Sequence, residues 1–399
     1  MNVFVYIDAL PFDYISYERS PFIKRLVNQG FTYPLQNIMG YSFAIQSTIL
    51  SGELPFQTKQ WMPYVYTPYS NIFGFRALAP MARMANIDVT RSRLLRTARY
   101  GMTSRLILRR GAQTSSIPLS IADRFYISPY YYMNELQPFK ELEKVLGEDY
   151  GSKLMYFGPC LQRTEATRYA TDYVESLVGK PRDSLEKTLL VLYVDALDHR
   201  GHGYGVGSQV WSSELAKIDR DLSDFYDALK KLLGRFAFAI FSDHGMCNIT
   251  QTIDILKPFR FMGLGWKDLT LFVDATIVNI WLGKRISASS LQRALEKIGQ
   301  DRFVVFSKED DADLLREVGA PLDRSCIGDL IIQARPGYMF FPNFYSDIKS
   351  FKGSHGYFPD ESVQQSFLNT NLDAEKDLSV HPTHIKDVRR LLLSLATKN

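Results

Sequence analysis

The chain has 399 residues, 46% apolar and 23% charged, a balance that excludes a disordered or fibrous protein and leaves room for a large core. A net charge of +4 does not by itself imply a nucleic-acid partner. The three cysteines, Cys160, Cys247 and Cys326, are odd in number and far apart, which argues against a disulfide framework or a zinc knuckle and fits a reducing compartment.

In chain order, the opening MNVFVYIDALPFDY has no basic leader and its apolar run stops at Asp8, so it does not read as a signal peptide. Val3–Ile7 reads instead as a buried parallel strand. Pro21–Val27 follows with helical spacing, Pro at its start and Gly30 just past its end. Gly40 to Pro55 reads as a loop entering a short helix closed by Gly52 and Pro55. The strand–helix alternation resumes at Thr188–Val194, continues through an amphipathic stretch from about Ser208 to Leu233, and reaches a second buried strand at Phe236–Phe241. The fold class expected is therefore α/β, a largely parallel sheet flanked by helices. No segment has the ~18 uninterrupted apolar residues of a membrane span, and the expected location is cytoplasmic.

Two stretches interrupt this core. Residues 56–187 read as a cap insertion rich in Arg and Tyr, leaving 1–55, 188–246 and 351–399 as the core. Within the insertion, residues 76–110 carry nine arginines against one acid, Asp88, so this stretch is about +8 and the remainder of the chain about −4. Residues 247–350 carry their own strand and helix signals and read as a small α+β subdomain.

In parallel sheets, functional residues gather beyond the carboxyl ends of strands. Here three candidate strands end in Asp8, in Asp195 to Asp198, and in Asp243. Of six histidines, three sit beside these carboxylates or in glycine turns: His202 in Asp198-His199-Arg200-Gly201-His202, His244 in Ser242-Asp243-His244-Gly245-Met246, and His355 in Gly353-Ser354-His355-Gly356-Tyr357. Each motif alone is compatible with a cap or a loop. Together they offer three Asp and three His, the mixed donor set that suits zinc, and six ligands serve two ions. Asp195 competes with Asp198 for one place. Ser42 at a helix start faces unpaired N–H groups that favour a phosphate, and metal coordination would make its hydroxyl a nucleophile; Ser47 and Thr48 are rivals inside the same helix.

The order Asp8, S-F…G-x-x-P from Ser42 to Pro55, D-x-x-G-H-x-x-G from Asp198, S-D-H-G-M and G-x-H-G-Y resembles the type I phosphodiesterase/nucleotide pyrophosphatase family of the alkaline phosphatase superfamily. The resemblance implies an alkaline-phosphatase-like core and a role for each matched position. Asp8, Asp243 and His244 bind one metal, with Ser42 on the same ion; Asp198, His202 and His355 bind the other. It also implies two divalent ions, most simply Zn2+, and a covalent phosphoserine. The chain departs from the family in having Ser for the usual Thr nucleophile, the residue of the phosphomonoesterase branch. Ile45 and the region of Met62-Pro63 replace the family's asparagines near the nucleophile, so a tyrosine or arginine of the cap is expected to contact the phosphate.

The substrate class read from this pattern is a phosphorylated small molecule or a lipid-linked phosphate, hydrolysed as a diester. The alternatives are a monoesterase or phosphotransferase acting on a lipid-linked or sugar phosphate, and a catalytically inactive relative that binds phospholigands or a membrane. Arg91, Arg93, Arg96 and Arg99, interleaved with Leu94, Leu95 and Tyr100, read as a basic amphipathic helix that would attract the anionic face of a membrane. No base-stacking module is recognisable, which argues against nucleic acid.

Overall fold

The computed structural model describes residues 1–62, 64–67, 124–127, 137–158, 166–177, 188–344 and 351–397. The arginine-rich segment 76–110 and its proposed helix lie outside the described residues.

The centre of the molecule is a six-stranded sheet. Its strands are β1 (Asn2–Ile7), β2 (Phe31–Leu35), β3 (Lys153–Phe157), β4 (Thr188–Val194), β5 (Phe238–Ser242) and β10 (Ser366–Thr370), in the spatial order β2-β10-β5-β1-β4-β3. β1 runs parallel to both β4 and β5, and β3 parallel to β4, whereas β10 is antiparallel to both of its neighbours. β1 and β4 are buried along their whole length, which is why they read as continuous apolar runs.

The pleat sends alternate residues to opposite faces. Val3, Val5 and Ile7 of β1 pack with Leu190, Leu192 and Val194 of β4 in one buried cluster, against α1 (Pro21–Gln29), α4 (Ala166–Ser176) and α6 (Gln209–Leu233). Phe4, Tyr6, Leu189, Val191 and Tyr193 point to the other face, beneath α2 (Ser42–Ser51), α3 (Gln137–Tyr150) and α8 (Val388–Thr397). The helix spacing explains this packing. In α6, Trp211, Leu215, Ile218, Leu222, Phe225 and Leu229 form one buried stripe, each worth roughly 1.5–3 kcal/mol of apolar burial. Ser208 caps its start by accepting from Trp211 N at 3.3 Å. Asp219 on the same helix turns its buried carboxylate to the start of α1, accepting from Phe22 N at 3.0 Å and Ile23 N at 2.8 Å.

A second sheet is antiparallel and four-stranded: β6 (Leu269–Asp274), β7 (Ile277–Leu282), β8 (Phe303–Ser307) and β9 (Leu330–Ala334), in the order β6-β7-β9-β8, with α7 (Ala288–Gly299) connecting β7 to β8. The α+β character expected of 247–350 is present. Its buried residues Phe272, Trp281 and Ile331 nevertheless belong to the same cluster as Phe4 and Tyr6, so this sheet extends the core.

One expected boundary is corrected. The cap expected over 56–187 contributes β3 to the main sheet and packs α3 and α4 on its two faces. The sequence KLMYF at the sheet edge is only partly buried and lacks the unbroken apolar run that marks a central strand. Among the described residues, no helix is long and apolar enough to cross a membrane.

Candidate metal centre

The register of the sheet sets three carboxylates at one height. Tyr6 of β1 lies opposite Tyr193 of β4 and Phe241 of β5. Two residues beyond each of these aromatics comes Asp8, Asp195 or Asp243. The tyrosines hold the carboxylates directly: Tyr193 OH donates to Asp8 Oδ2 at 2.7 Å, and Tyr6 OH to Asp243 Oδ2 at 2.7 Å. Gln46 of α2 in turn donates to Tyr193 OH at 2.8 Å, and the two tyrosine rings lie 4.5 Å apart. Burial, followed by the charges of Asp243 and Asp8, raises both phenols well above their ordinary values, so they stay protonated and act as donors.

Beyond β4, α5 (Ala196–Tyr204) puts Asp198 and His202 one turn apart on one face, with His202 Nε2 3.4 Å from Asp198 Oδ1. His355 Nε2 reaches the same Asp198 oxygen at 3.5 Å. The Gly353–Ser354 strand pairs with Cys247–Asn248, immediately after the Asp243-His244 pair, and so brings the two loops together. The glycines make this approach feasible: a Cβ on Gly353 would meet Gly201 O at 2.7 Å, and one on Gly201 would meet Met246 Sδ at 2.2 Å. The result is a His244–His355 stack with ring centroids 3.9 Å apart and planes 13° apart.

Two of the three histidines have their orientation fixed by a ring hydrogen bond. His202 Nδ1 donates to Gly353 O at 2.9 Å and His244 Nδ1 to Gly245 O at 2.8 Å, which turns each Nε2 toward the centre. His244 Nε2 lies 3.4 Å from Asp8 Oδ1, 3.3 Å from Asp243 Oδ2 and 3.1 Å from Ser42 Oγ. Three oxygens gathered around one imidazole nitrogen in this way can be served by a cation held among them.

The electrostatics of the site agree with this. Asp8 Oδ1 and Asp198 Oδ1 are buried with no hydrogen-bond partner. Burial, then the charges of Asp243 and Asp198, pushes Asp8 well above the ordinary carboxylate range. Burial also raises Asp243, although His244 and the Tyr6 hydrogen bond oppose the shift. His355 is driven well below its ordinary value, first by burial and then by the charges of His244 and His202. These residues fit a divalent-cation site: their donor atoms fall into two groups, Asp198–His202–His355 and Asp8–Asp198–His244, each within 4.8 Å of one another. Asp198 belongs to both groups, a sharing that spacing alone does not reveal.

Every ligand expected from the sequence is thus brought into one cluster, with Ser42 at its edge on the N-terminus of α2. The rival hydroxyls are turned away: Ser47 is buried along the helix and Thr48 Oγ1 donates to Ala44 O at 3.0 Å. Asp195 Oδ2 sits 3.1 Å from His199 Nε2, whereas Asp198 belongs to both donor groups and Asp195 to neither. Ile45 is fully buried, and Met62 lies beneath Asn279, so neither offers a group to a phosphate. Tyr6, Tyr193 and Gln46 are the supporting residues that sequence reasoning missed. The repeated pattern Y-x-D at Tyr6 and Tyr193 was the signal available.

The family model described as type I phosphodiesterase/nucleotide pyrophosphatase matches residues 2–358. Among solved structures, human ectonucleotide pyrophosphatase/phosphodiesterase 5 superposes with a TM-score of 0.63 at 15% identity, covering 100% of this chain and 95% of that chain. An inactive form of the murine protein in complex with AMP superposes with a TM-score of 0.63 at 14% identity, again covering 100% of this chain and 95% of that one. At such identities the likeness speaks to the fold. No curated protein sequence matches the chain.

Proposed function

Because this chain belongs to the type I phosphodiesterase/nucleotide pyrophosphatase family, we propose that it hydrolyses phosphoesters at a two-ion centre through a covalent phosphoserine on Ser42. The observation that carries the reading is the convergence of unpartnered buried carboxylate oxygens and three imidazole nitrogens beside a hydroxyl at a helix N-terminus. Asp8, Asp243 and His244 would hold one ion together with Ser42; Asp198, His202 and His355 would hold the other. When bound there, two divalent ions, zinc by the mixed nitrogen and oxygen donors, would neutralise phosphate charge and lower the pKa of the hydroxyl and water they touch.

The chain's own residues do the rest. The N-terminus of α2, where the helix dipole favours an anion, presents Ser42 Oγ for in-line attack. An Oγ–P bond forms as the P–O bond to the leaving group breaks; the leaving oxygen keeps the electron pair and takes a proton from solvent, to which the serine proton is also lost. Water then attacks this serine phosphoester and gives a proton to solvent; the Oγ–P bond breaks, Oγ takes a proton from solvent, and the phosphomonoester leaves. Tyr193 and Tyr6 keep Asp8 and Asp243 aimed throughout.

The substrate class we propose is a phosphorylated small molecule, nucleotide phosphodiesters first. The test is turnover of a generic phosphodiester and a generic phosphomonoester by zinc-loaded protein, with acid-quenched mass spectrometry of Ser42. Diester turnover with the phosphoryl group and its retained ester substituent trapped on Ser42 is expected. Monoester turnover alone would assign the chain to the branch that its serine resembles, and stoichiometric metal without turnover of either would make it a binding protein.

A cytoplasmic location and attachment of the arginines of 76–110 to anionic lipid belong to the same proposal and rest on sequence charge alone. Binding to anionic vesicles that weakens as salt is added, and is lost when Arg91, Arg93, Arg96 and Arg99 are changed to Gln, is the expected result.

A further inference from the structure

We infer that the second sheet positions a metal ligand: Thr276 and Gln333 hold the peptide groups of His355 and Gly356, Tyr41 holds Thr276 and abuts the His355 ring, and together they aim His355 Nε2 at the centre. The inference rests on the two-ion reading above.

His355 differs from the other two histidines. A metal-binding imidazole almost always donates its second nitrogen to an acceptor that fixes the ring. His202 and His244 do so, whereas His355 Nδ1 is buried with no hydrogen-bond partner. Something else must fix its ring, and the contacts around it show what. The ring is stacked on His244 and meets the edge of Tyr41, with centroids 5.5 Å apart at 74°. Its backbone is held from several directions. Thr276 Oγ1 donates to Gly356 O at 2.7 Å and also approaches His355 O at 3.2 Å, while Gln333 Nε2 donates to Gly356 O at 3.0 Å. Gln364 Oε1 accepts from Gly356 N at 2.9 Å and Tyr357 N at 3.2 Å. Thr276, Gln333 and Gln364 are all buried, so these bonds do not compete with water.

Thr276 lies in the tight turn between β6 and β7, where Asp274 pairs with Ile277 and Ala275 takes a positive φ of 40°. The Tyr41 hydroxyl locks that turn by accepting from Thr276 N at 2.6 Å and donating to Asp274 O. Gly356 has φ 78°, and a Cβ there would meet the Tyr41 ring at 2.5 Å, so the loop is pressed against the ring where only glycine fits. Tyr41 immediately precedes Ser42. One phenol therefore joins the start of the nucleophile helix, the turn of the second sheet and the loop carrying His355, which makes Tyr41 and Thr276 positioning residues.

The experiment is a competitive titration of the chelated full chain with Zn2+, for the wild type, Thr276→Val, Tyr41→Phe and Thr276→Ser. His202→Ala serves to mark which binding step belongs to the Asp198 side. Two steps are expected for the wild type. Thr276→Val and Tyr41→Phe are expected to weaken the step that His202→Ala removes by about 10- to 100-fold, the usual effect of losing a supporting contact to a metal ligand. The other step should be unchanged, and Thr276→Ser, which keeps the hydroxyl, should restore the first. Equal weakening of both steps, or wild-type affinities in Thr276→Val and Tyr41→Phe, would overturn the inference while leaving two ions in place. A wild type that takes up no zinc would overturn the two-ion reading, and the inference with it.

Discussion

Asp8, Asp243 and His244 stand at the ends of adjacent strands with side chains 6%, 0% and 0% exposed, whereas Asp198 and His202 share one helical turn and are 15% and 24% exposed. The strand-borne group is held by sheet register and phenol hydrogen bonds. The other is assembled from a helix face and a loop. The strand side lies against Ser42 and is shielded from water, which suits holding a nucleophile in one geometry. The helix-and-loop side is partly exposed at Asp198 and His202 although its His355 is buried, which suits a leaving group that must depart and a water that must arrive. This comparison predicts unequal consequences for disturbing the two sides.

The largest effect is expected at Ser42. Ser42→Ala should lower turnover on the order of a thousandfold or more while leaving both ions and the melting curve in place; near-normal rates in that variant would move the nucleophile off the strand side. Next comes the metal. Asp243→Asn should abolish the buried ion, whereas His202→Ala should lose only the exposed one, and elemental analysis of the two proteins would show whether the halves load independently. A smaller effect is expected at Tyr193. Tyr193→Phe leaves Asp8 Oδ2 without its donor, costs about 1–3 kcal/mol, and should loosen the buried ion roughly tenfold with the exposed ion unchanged.

The smallest effect concerns pH. The folded values of Asp8 and Asp243 are raised above their unfolded ones, so without metal these groups favour the folded state least once pH has risen through those raised values. The lowered value of His355 means that it is already neutral and releases no proton when an ion binds. Metal requires both carboxylates deprotonated, so the gap in melting temperature between zinc-loaded and chelated protein should widen as pH rises through the range in which these raised carboxyls ionise. A gap constant across that range would show that these carboxyls give up no proton to the ion.

Much of this centre was legible in the sequence because it is built from adjacent pairs and short spacings at strand ends. Asp243-His244 and Asp198 to His202 announce themselves within a few residues, and Ser42 is marked by the helix it opens. The supporting contacts could not be read in the same way. Tyr41 and Thr276 are 235 positions apart, and no local pattern links a tyrosine before a serine to a threonine in a distant turn. The sharing of Asp198 between the two groups depends on where the His355 loop settles, which pairing with Cys247–Asn248 decides. β3 escaped notice for another reason: an edge strand of mixed polarity does not need the apolar run by which buried strands are recognised.

The antiparallel strand β10 lies between β2 and β5, and its Ser366 hydroxyl donates to the carbonyl of Asp243. Asn37 joins the same junction, donating to Asp243 O at 2.8 Å and to Gln364 O at 2.7 Å. During synthesis the first ligand, Asp8, leaves the ribosome hundreds of residues before this strand exists. Until Ser366–Thr370 has been made, β2 has no neighbour in the sheet and the Asp243 turn lacks the Ser366 hydroxyl. A nascent chain halted before β10 would hold every one of the expected ligands and still lack the strand that completes the Asp243 junction. Assembly that depends on such distant pairing is intrinsically slow.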